Sequence, residues 1–392
     1  MQAACRRFAG VWLLTTLAGL TAIAAFNVLV DPLGAFPAWH LKTFEPLRYL
    51  ETDRVAKAEM ARRGDWQTII LGSSRALVGL PATHPVLAGN HACNLSLVAA
   101  TFPELVAVFD YTHERNPLTR VILGLDLYMF SGGPRWAGNF TESRFCSGFD
   151  RFQYYCKQLI GRTSTDRAWE TVRRKMRDYK PPIQETLGFY HFSLWPGVSQ
   201  RKLFERGLRT HAADYPDLKV DRSQWLLFRH LVRTCRDEKI DLRIAIMPPH
   251  ALDIEMLHAS QRWAEFEQWK ADLVDVLAEE GVEGKVGLWD FTGYAGPPAE
   301  PVPQAGDMTN RMTFYLEGTH FTPSLGKLIF DALFDPAGAS SFGAKLDRSN
   351  LKVHLARILE DRAAYARTNA ADIAWVQGIL SEVRREPSAQ SR

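Results

Sequence analysis

At 392 residues the chain is long enough for two domains, or for one domain carrying a large insertion. Its 46% hydrophobic and 23% charged residues are those of a globular protein, and a formal net charge of +3 gives no basis for nucleic-acid binding. No internal repeat and no long low-complexity tract marks a solenoid or a disordered chain.

The first thirty residues differ from everything after them. Arg6 and Arg7 precede an uncharged stretch from Phe8 to Val30, 23 residues, which at about 1.5 Å per residue is long enough to cross a bilayer. By the positive-inside rule the two arginines stay cytoplasmic, so an inner-membrane, single-pass protein with an extracytoplasmic (periplasmic) domain is expected. A cleaved signal peptide is the competing reading, because Ala22-Ile23-Ala24 has a small-residue cleavage pattern. The apolar run continues past it to Val30, which favours an uncleaved anchor. "NVLVDPLGAF" is then a turn-rich exit, and residues 44–63 read as a mostly polar helix.

From there strands and helices alternate. Strand-like runs fall at 67–72, 91–95, 119–125, 240–247 and 285–291. The helix at 102–115 opens with Thr101 and Glu104 at capping-box spacing and Pro103 in its first turn. Further helices are expected at 222–238 and 253–280, and another after Thr322-Pro323. This alternation predicts an α/β fold with a mostly parallel sheet covered by helices.

Residues 131–221 interrupt the rhythm with aromatics (Trp136, Phe140, Phe145, Phe149, Tyr154, Tyr155, Trp169, Tyr190, Trp195) and the basic cluster "RRKMRDYK". They serve either as a lid or substrate platform, or simply as a small core of their own. From 345 onward the sequence is helical and charged, with a break near Thr368-Asn369 and a tail, "EPSAQSR", expected to be disordered. The five cysteines show no zinc spacing. Cys146 and Cys156 are the closest pair, and no bridge is assigned.

Two short motifs carry chemistry. "IILGSSRALVGL", residues 69–80, is a buried strand that ends on Ser73-Ser74-Arg75. At the carboxyl end of a parallel strand such a pair either lines a ligand site or caps the following helix. The second, "FYLEGTHFTPSLGKLIF", places Glu317 three residues before His320. A serine nucleophile needs an imidazole base, and that base needs an acceptor to fix its tautomer. There is no G-x-G-x-x-G, no phosphate-binding P-loop, no H-E-x-x-H and no G-x-S-x-G elbow, and neither cofactor nor metal is expected.

Taken in order, these blocks resemble the SGNH (GDSL-type) hydrolases from residue 67 to about 335. Gly72-Ser73-Ser74 matches the first block, "CNLSLVAA" the second, Gly124-Leu125-Asp126 the third and Glu317-Gly318-Thr319-His320 the last. The resemblance implies Ser74 as nucleophile, His320 as base and Glu317 as its orienting carboxylate. It further implies an oxyanion hole from Ser74, Ser96 and position 126, with Arg75 flanking the site for substrate binding. Three residues depart from the pattern. Ser96 stands for a glycine amide donor, Asp126 for an asparagine, and Glu317 for an aspartate. An ionised carboxylate at 126 cannot donate to an oxyanion.

The anchor, the "NxxxDPxG" turn, "GSSR" and "HFTPxLG" more narrowly resemble membrane-anchored SGNH-like proteins of lipoteichoic-acid D-alanylation and alginate acetylation. That likeness implies an acyltransferase or esterase acting on an acylated polysaccharide or envelope polymer beside a membrane-bound O-acyltransferase. The expected fold is a three-layer α/β/α sandwich, SGNH or flavodoxin-like. Its parts are an anchor at 1–31, a linker and leading helix at 32–64, the SGNH-like domain at 65–340 with its insertion at 131–221, and a helical extension at 341–392. A rival from another class is a catalytically silent scaffold of the same fold, which Asp126 favours.

Overall fold

A computed structural model of the chain describes residues 2–132, 136–192, 197–335 and 340–385. Trp195 and the tail 386–392 lie outside the described residues. In chain order the helices are α1 (Gln2–Val30), α2 (Arg54–Arg63), α3 (Ser74–Gly79), α4 (Phe102–His113), α5 (Arg151–Ile160), α6 (Arg162–Met176) and α7 (Ile183–Thr186). They continue with α8 (Gln200–Asp214), α9 (Gln224–Asp237), α10 (Ala251–Ala259), α11 (Trp263–Glu279), α12 (Pro323–Leu333), α13 (Leu351–Thr368) and α14 (Ala370–Arg385). The strands are β1 (Thr68–Leu71), β2 (Ala92–Asn94), β3 (Arg120–Leu125), β4 (Asp241–Ile246), β5 (Gly287–Asp290) and β6 (Ala344–Lys345).

The chain divides into two compact units, one of residues 1–64 with 138–188 and the other of 65–137 with 189–392. The 131–221 interruption is therefore shared between them. In the first unit the last turns of α1 meet α5 and α6. Asn27 Nδ2 donates to Leu159 O at 2.8 Å and to Thr165 Oγ1 at 3.0 Å, and the Phe26 and Trp169 rings are 6.3 Å apart. The turn after α1 is held by an Arg48–Asp31 ion pair, so the "NxxxDPxG" residues have structural partners here. A small core of Leu33, Ala35, Val55, Ala56 and Tyr154 lies beneath it. This first unit contains one membrane-length apolar helix, Ala4–Val30.

The second unit is the α/β fold. Its sheet order is β2-β1-β3-β4-β5-β6, with the first five strands parallel and β6 antiparallel against β5. β1 and β3 are buried apolar runs, as central parallel strands require. The order reverses between β1 and β3, the crevice where open α/β sheets bind ligands beyond their carboxyl ends. Helices flank this sheet. The α13–α14 pair packs on α8 and α10, with the Arg201 guanidinium 3.8 Å above the Trp375 ring and Arg362 bonded to Glu255 at 2.7 Å.

Three local features differ from the sequence reading. The helix expected over 44–63 is a 3-10 turn at Lys42–Leu47 followed by α2. Pro46 brings no N–H to that turn, Tyr49 adopts a left-handed φ of 63°, and Asp53 caps a new start by accepting from Val55 N at 2.9 Å. The single helix expected over 253–280 is α10 and α11. Gln261 at φ 60° lets Arg262 N reach Leu257 O at 3.0 Å, a Schellman-type stop built without glycine. Finally, the sheet continues past residue 340 through β6.

Candidate functional site

Position 73 is where the chain leaves the sheet, and the two serines part ways there. Ser73 is fully buried and caps α3, its Oγ accepting from Arg75 N at 3.1 Å. Its hydroxyl donates to Asp126 Oδ2 at 2.7 Å, a contact possible because β1 and β3 are neighbours and both residues follow their strand ends. Ser74 opens α3 and is only partly buried. Of the pair, the capping role thus falls to Ser73, and Ser74 is the one left partly exposed.

The partner of Ser74 comes from the far end of the chain. Phe321 pairs with Tyr315 across a tight turn, and the carboxylate of Glu317 is fixed inside it by Thr319 N at 3.0 Å and His320 N at 2.7 Å. His320 Nδ1–H donates to the same carboxylate, which leaves Nε2 to accept from the Ser74 hydroxyl at 2.7 Å. Burial opposes the charge of Glu317, but the His320 bond and the two backbone N–H groups outweigh it and keep its pKa below the ordinary value. Phe192 stacks on the imidazole with ring centroids 6.2 Å apart.

Two glycines bring these distant segments together. A Cβ on Gly326 of α12 would lie 1.8 Å from Gly79 O of α3, and one on Gly79 would lie 2.0 Å from the Phe321 ring. Because α3 begins at Ser74 and α12 begins just after His320, this close crossing sets the Ser74–His320 distance. Thr322 stands at the cap position of α12, yet its hydroxyl bonds Thr313 O at 2.7 Å rather than the helix.

Beside Ser74 the chain turns inward to a buried ionic chain. Arg75 Nη1 donates to Asp126 Oδ1 at 2.7 Å and Nη2 to Asp253 Oδ2 at 3.4 Å. Asp253, in the first turn of α10, accepts from His211 Nδ1–H on α8 and from the Tyr215 hydroxyl at 3.0 Å. Burial works against the Arg75 charge, but Asp126 and Asp253 outweigh it and raise its pKa. For His211 the same contest is won by Asp253, so its pKa is raised, while burial of Asp253 is outweighed by His211 and Arg75 and its pKa is lowered. One turn before His211, a Cβ on Gly207 would sit 3.2 Å from Glu317 Oε2, so α8 lies over both groups of carboxylates.

The expected oxyanion donors divide. The Ser74 N–H has no hydrogen-bond partner among the described residues. The Ser96 N–H, by contrast, is committed to Asn94 Oδ1 at 2.9 Å, and Ser96 is fully buried. Strand β2 ends on an Asx turn, which uses the donor that a glycine in this block would offer. Asp126 spends both oxygens on Ser73 and Arg75. Arg75, expected at a substrate, is buried with its charge spent on two carboxylates.

His211, Asp253 and Tyr215 were not singled out from the sequence, since α10 is buried nearly all round and α8 lies within the irregular stretch. The five cysteines are free. No group of three or more His, Cys, Asp or Glu side chains among the described residues is placed to hold a metal ion. No protein-family model matches the chain, and no curated protein matches it.

Proposed function

We propose that this chain is a membrane-anchored serine acyltransferase or esterase of SGNH type, acting outside the cytoplasm on acyl esters of an envelope polymer. The observation that supports it is the unbroken hydrogen-bonded run from Glu317 through His320 to the Ser74 hydroxyl. In this reading Ser74 Oγ attacks the acyl carbon as His320 Nε2 takes its proton, and that proton then leaves with the departing alcohol. A sugar hydroxyl or water next gives its proton to His320, attacks the acyl-serine and restores Ser74. Glu317 holds the imidazole in the required tautomer and stabilises the imidazolium. The Ser74 N–H is the available oxyanion donor. Arg6 and Arg7 before the apolar helix support the topology, and the likeness to polymer-acylation proteins supports the substrate class and a membrane-bound O-acyltransferase as partner.

One observation favours the silent scaffold instead: Asp126 and the Ser96 N–H are both engaged elsewhere, so two of the three expected oxyanion positions offer no donor. A fluorophosphonate probe separates the readings. The enzyme reading expects labelling of the wild type at Ser74 and none in Ser74→Ala. A wild type that takes no probe and releases no acetate from a small acetyl ester would leave the scaffold.

A further inference from the structure

We propose that the α5–α6 hairpin is a membrane-surface platform, seated in the headgroup layer of the bilayer that α1 crosses and recognising anionic phospholipid. The inference rests on α1 being a membrane span and is independent of any chemistry at Ser74.

Much of α1 is exposed. Every residue from Phe8 to Ile23 is exposed, whereas Asn27 and Val30 are buried and Ala24, Phe26 and Val28 half-buried. Those last turns are held by α5 and α6 through the Asn27 bonds to Leu159 O and Thr165 Oγ1 and through the Phe26–Trp169 contact. The sixteen free residues from Phe8 to Ile23 rise only about 24 Å. A hydrocarbon core is about 30 Å thick. The bilayer therefore has to reach the turns that α5 and α6 hold, and tilting α1 makes the shortfall larger.

What the hairpin presents there fits an interface. Trp169 touches α1 yet is 49% exposed, and Ile160, Phe152 and Met176 are exposed as well. Tryptophan beside a membrane-spanning helix at the headgroup level is the usual aromatic anchor. The charge agrees. Residues 151–180 hold nine Lys or Arg and three Asp or Glu, a surplus of six, whereas the whole chain carries only +3. The Arg173 guanidinium lies 5.6 Å from the centre of the Trp169 ring, which places a cation beside the ring at the expected depth of the lipid phosphates. Basic side chains near an anionic surface each add about 1 kcal/mol of attraction.

The test uses the full chain in vesicles containing phospholipid whose acyl chains are brominated close to the ester, with and without an anionic lipid. Trp12→Phe, Trp169→Phe and Trp269→Phe each remove one component of the fluorescence. The components from Trp12 and Trp169 should both be quenched by the brominated lipid, and that from Trp269, which is fully buried, should not. In anionic vesicles Arg173→Glu with Lys175→Glu should reduce Trp169 quenching by at least about twofold, leaving Trp12 unchanged. Quenching of Trp12 without Trp169 would overturn the platform while the anchor stands. Quenching of neither would remove the anchor and the platform together. Equal Trp169 quenching in the charge-reversed protein would overturn the anionic-lipid preference. A Trp169 signal that responds to a soluble acidic polysaccharide, and not to lipid, would assign this face to the polymer.

Discussion

Two adjacent hydroxyls, Ser73 and Ser74, lead into two different kinds of polar network. Ser74 joins a chain of neutral and ionic hydrogen bonds whose imidazole remains partly exposed, with 26% of the His320 side chain accessible. Ser73 joins a sealed chain, Asp126–Arg75–Asp253, whose side chains are 7% exposed or less. Both are anchored at the same strand end. The difference is that the first network leaves an oxygen reachable, while the second sets its charges against one another through Arg75 Nη1 and Nη2, with the buried Arg75 Nε the atom left without a partner among the described residues. Buried charges of this kind are costly unless fully paired, and a half-satisfied network is worse than none. The sealed chain is thus read as the frame, and the half-open one as the part free to react.

The largest expected effect tests the open side. If Ser74 is the nucleophile, Ser74→Ala should lower the rate on a small acetyl ester by at least about a thousandfold, with thermal unfolding unchanged. Ser73→Ala should show the reverse, because its oxygen caps α3 and bonds Asp126. Its unfolding should become easier by about 1–2 kcal/mol and its rate should stay within a few-fold. Equal rate losses in the two variants would erase the distinction between the networks.

The frame is tested next through Arg75. Arg75→Met leaves Asp126 without its cation and weakens the hold on Asp253, and unpairing a buried charge costs about 3–5 kcal/mol. A variant that unfolds in urea within about 1 kcal/mol of wild type would show that the ion pairs are not structural. Asp126→Asn is milder. It keeps a partner for Ser73 and removes one charge-assisted bond to Arg75, a loss of about 1.5–3 kcal/mol. With the carboxylate directed at Ser73 and Arg75, esterase activity should change little. A drop of more than about tenfold with the fold intact, roughly 1.4 kcal/mol in the barrier, would give this side chain a role in the reaction.

Much of this architecture is legible in the chain. Five strands announce themselves as apolar runs bounded by turn residues, and the capping box at Thr101 and Glu104 is present as read, with Thr101 N bonded to Glu104 at 3.1 Å. Strand β6 carries no such run, being two edge residues defined only by pairing with β5. The left-handed backbone at Tyr49 and Gln261 has no glycine to announce it, so tertiary packing rather than local preference imposes it, although Pro46 and the Asp53 cap do mark the first of these breaks in the sequence. In the site, Ser74, Glu317 and His320 stand out by their spacing and their company. His211 and Asp253 do not, since a histidine in the last turn of α8 and an aspartate in an apolar helix have no pattern in common. Only the adjacency of β3 and β4 and the packing of α8 bring them to Arg75.

The smallest effect, and the finest probe of the frame, is its dependence on pH. The pKa of His211 is raised above its ordinary 6.5 by Asp253, against the opposing pull of burial. A raised histidine contributes stability that is fully present below 6.5 and fades as the pH climbs through the raised value. Asp253 and Glu317 are shifted the other way, from ordinary values of 3.8 and 4.5, so their contributions are present above those values and fade only as the pH falls through the lowered ones. From neutral pH upward the two carboxylates therefore add no slope, and Tyr215, raised from an ordinary value of 10.0 by burial, adds one only above that value, so below it the slope due to the frame belongs to His211. Comparing urea unfolding of wild type with His211→Gln isolates it. Wild type should be the more stable at pH 6.5, and its advantage should shrink steadily as the pH rises from there. An advantage that widens with pH would mean that His211 is buried neutral, and that Asp253 owes its charge to Arg75 and Tyr215 alone.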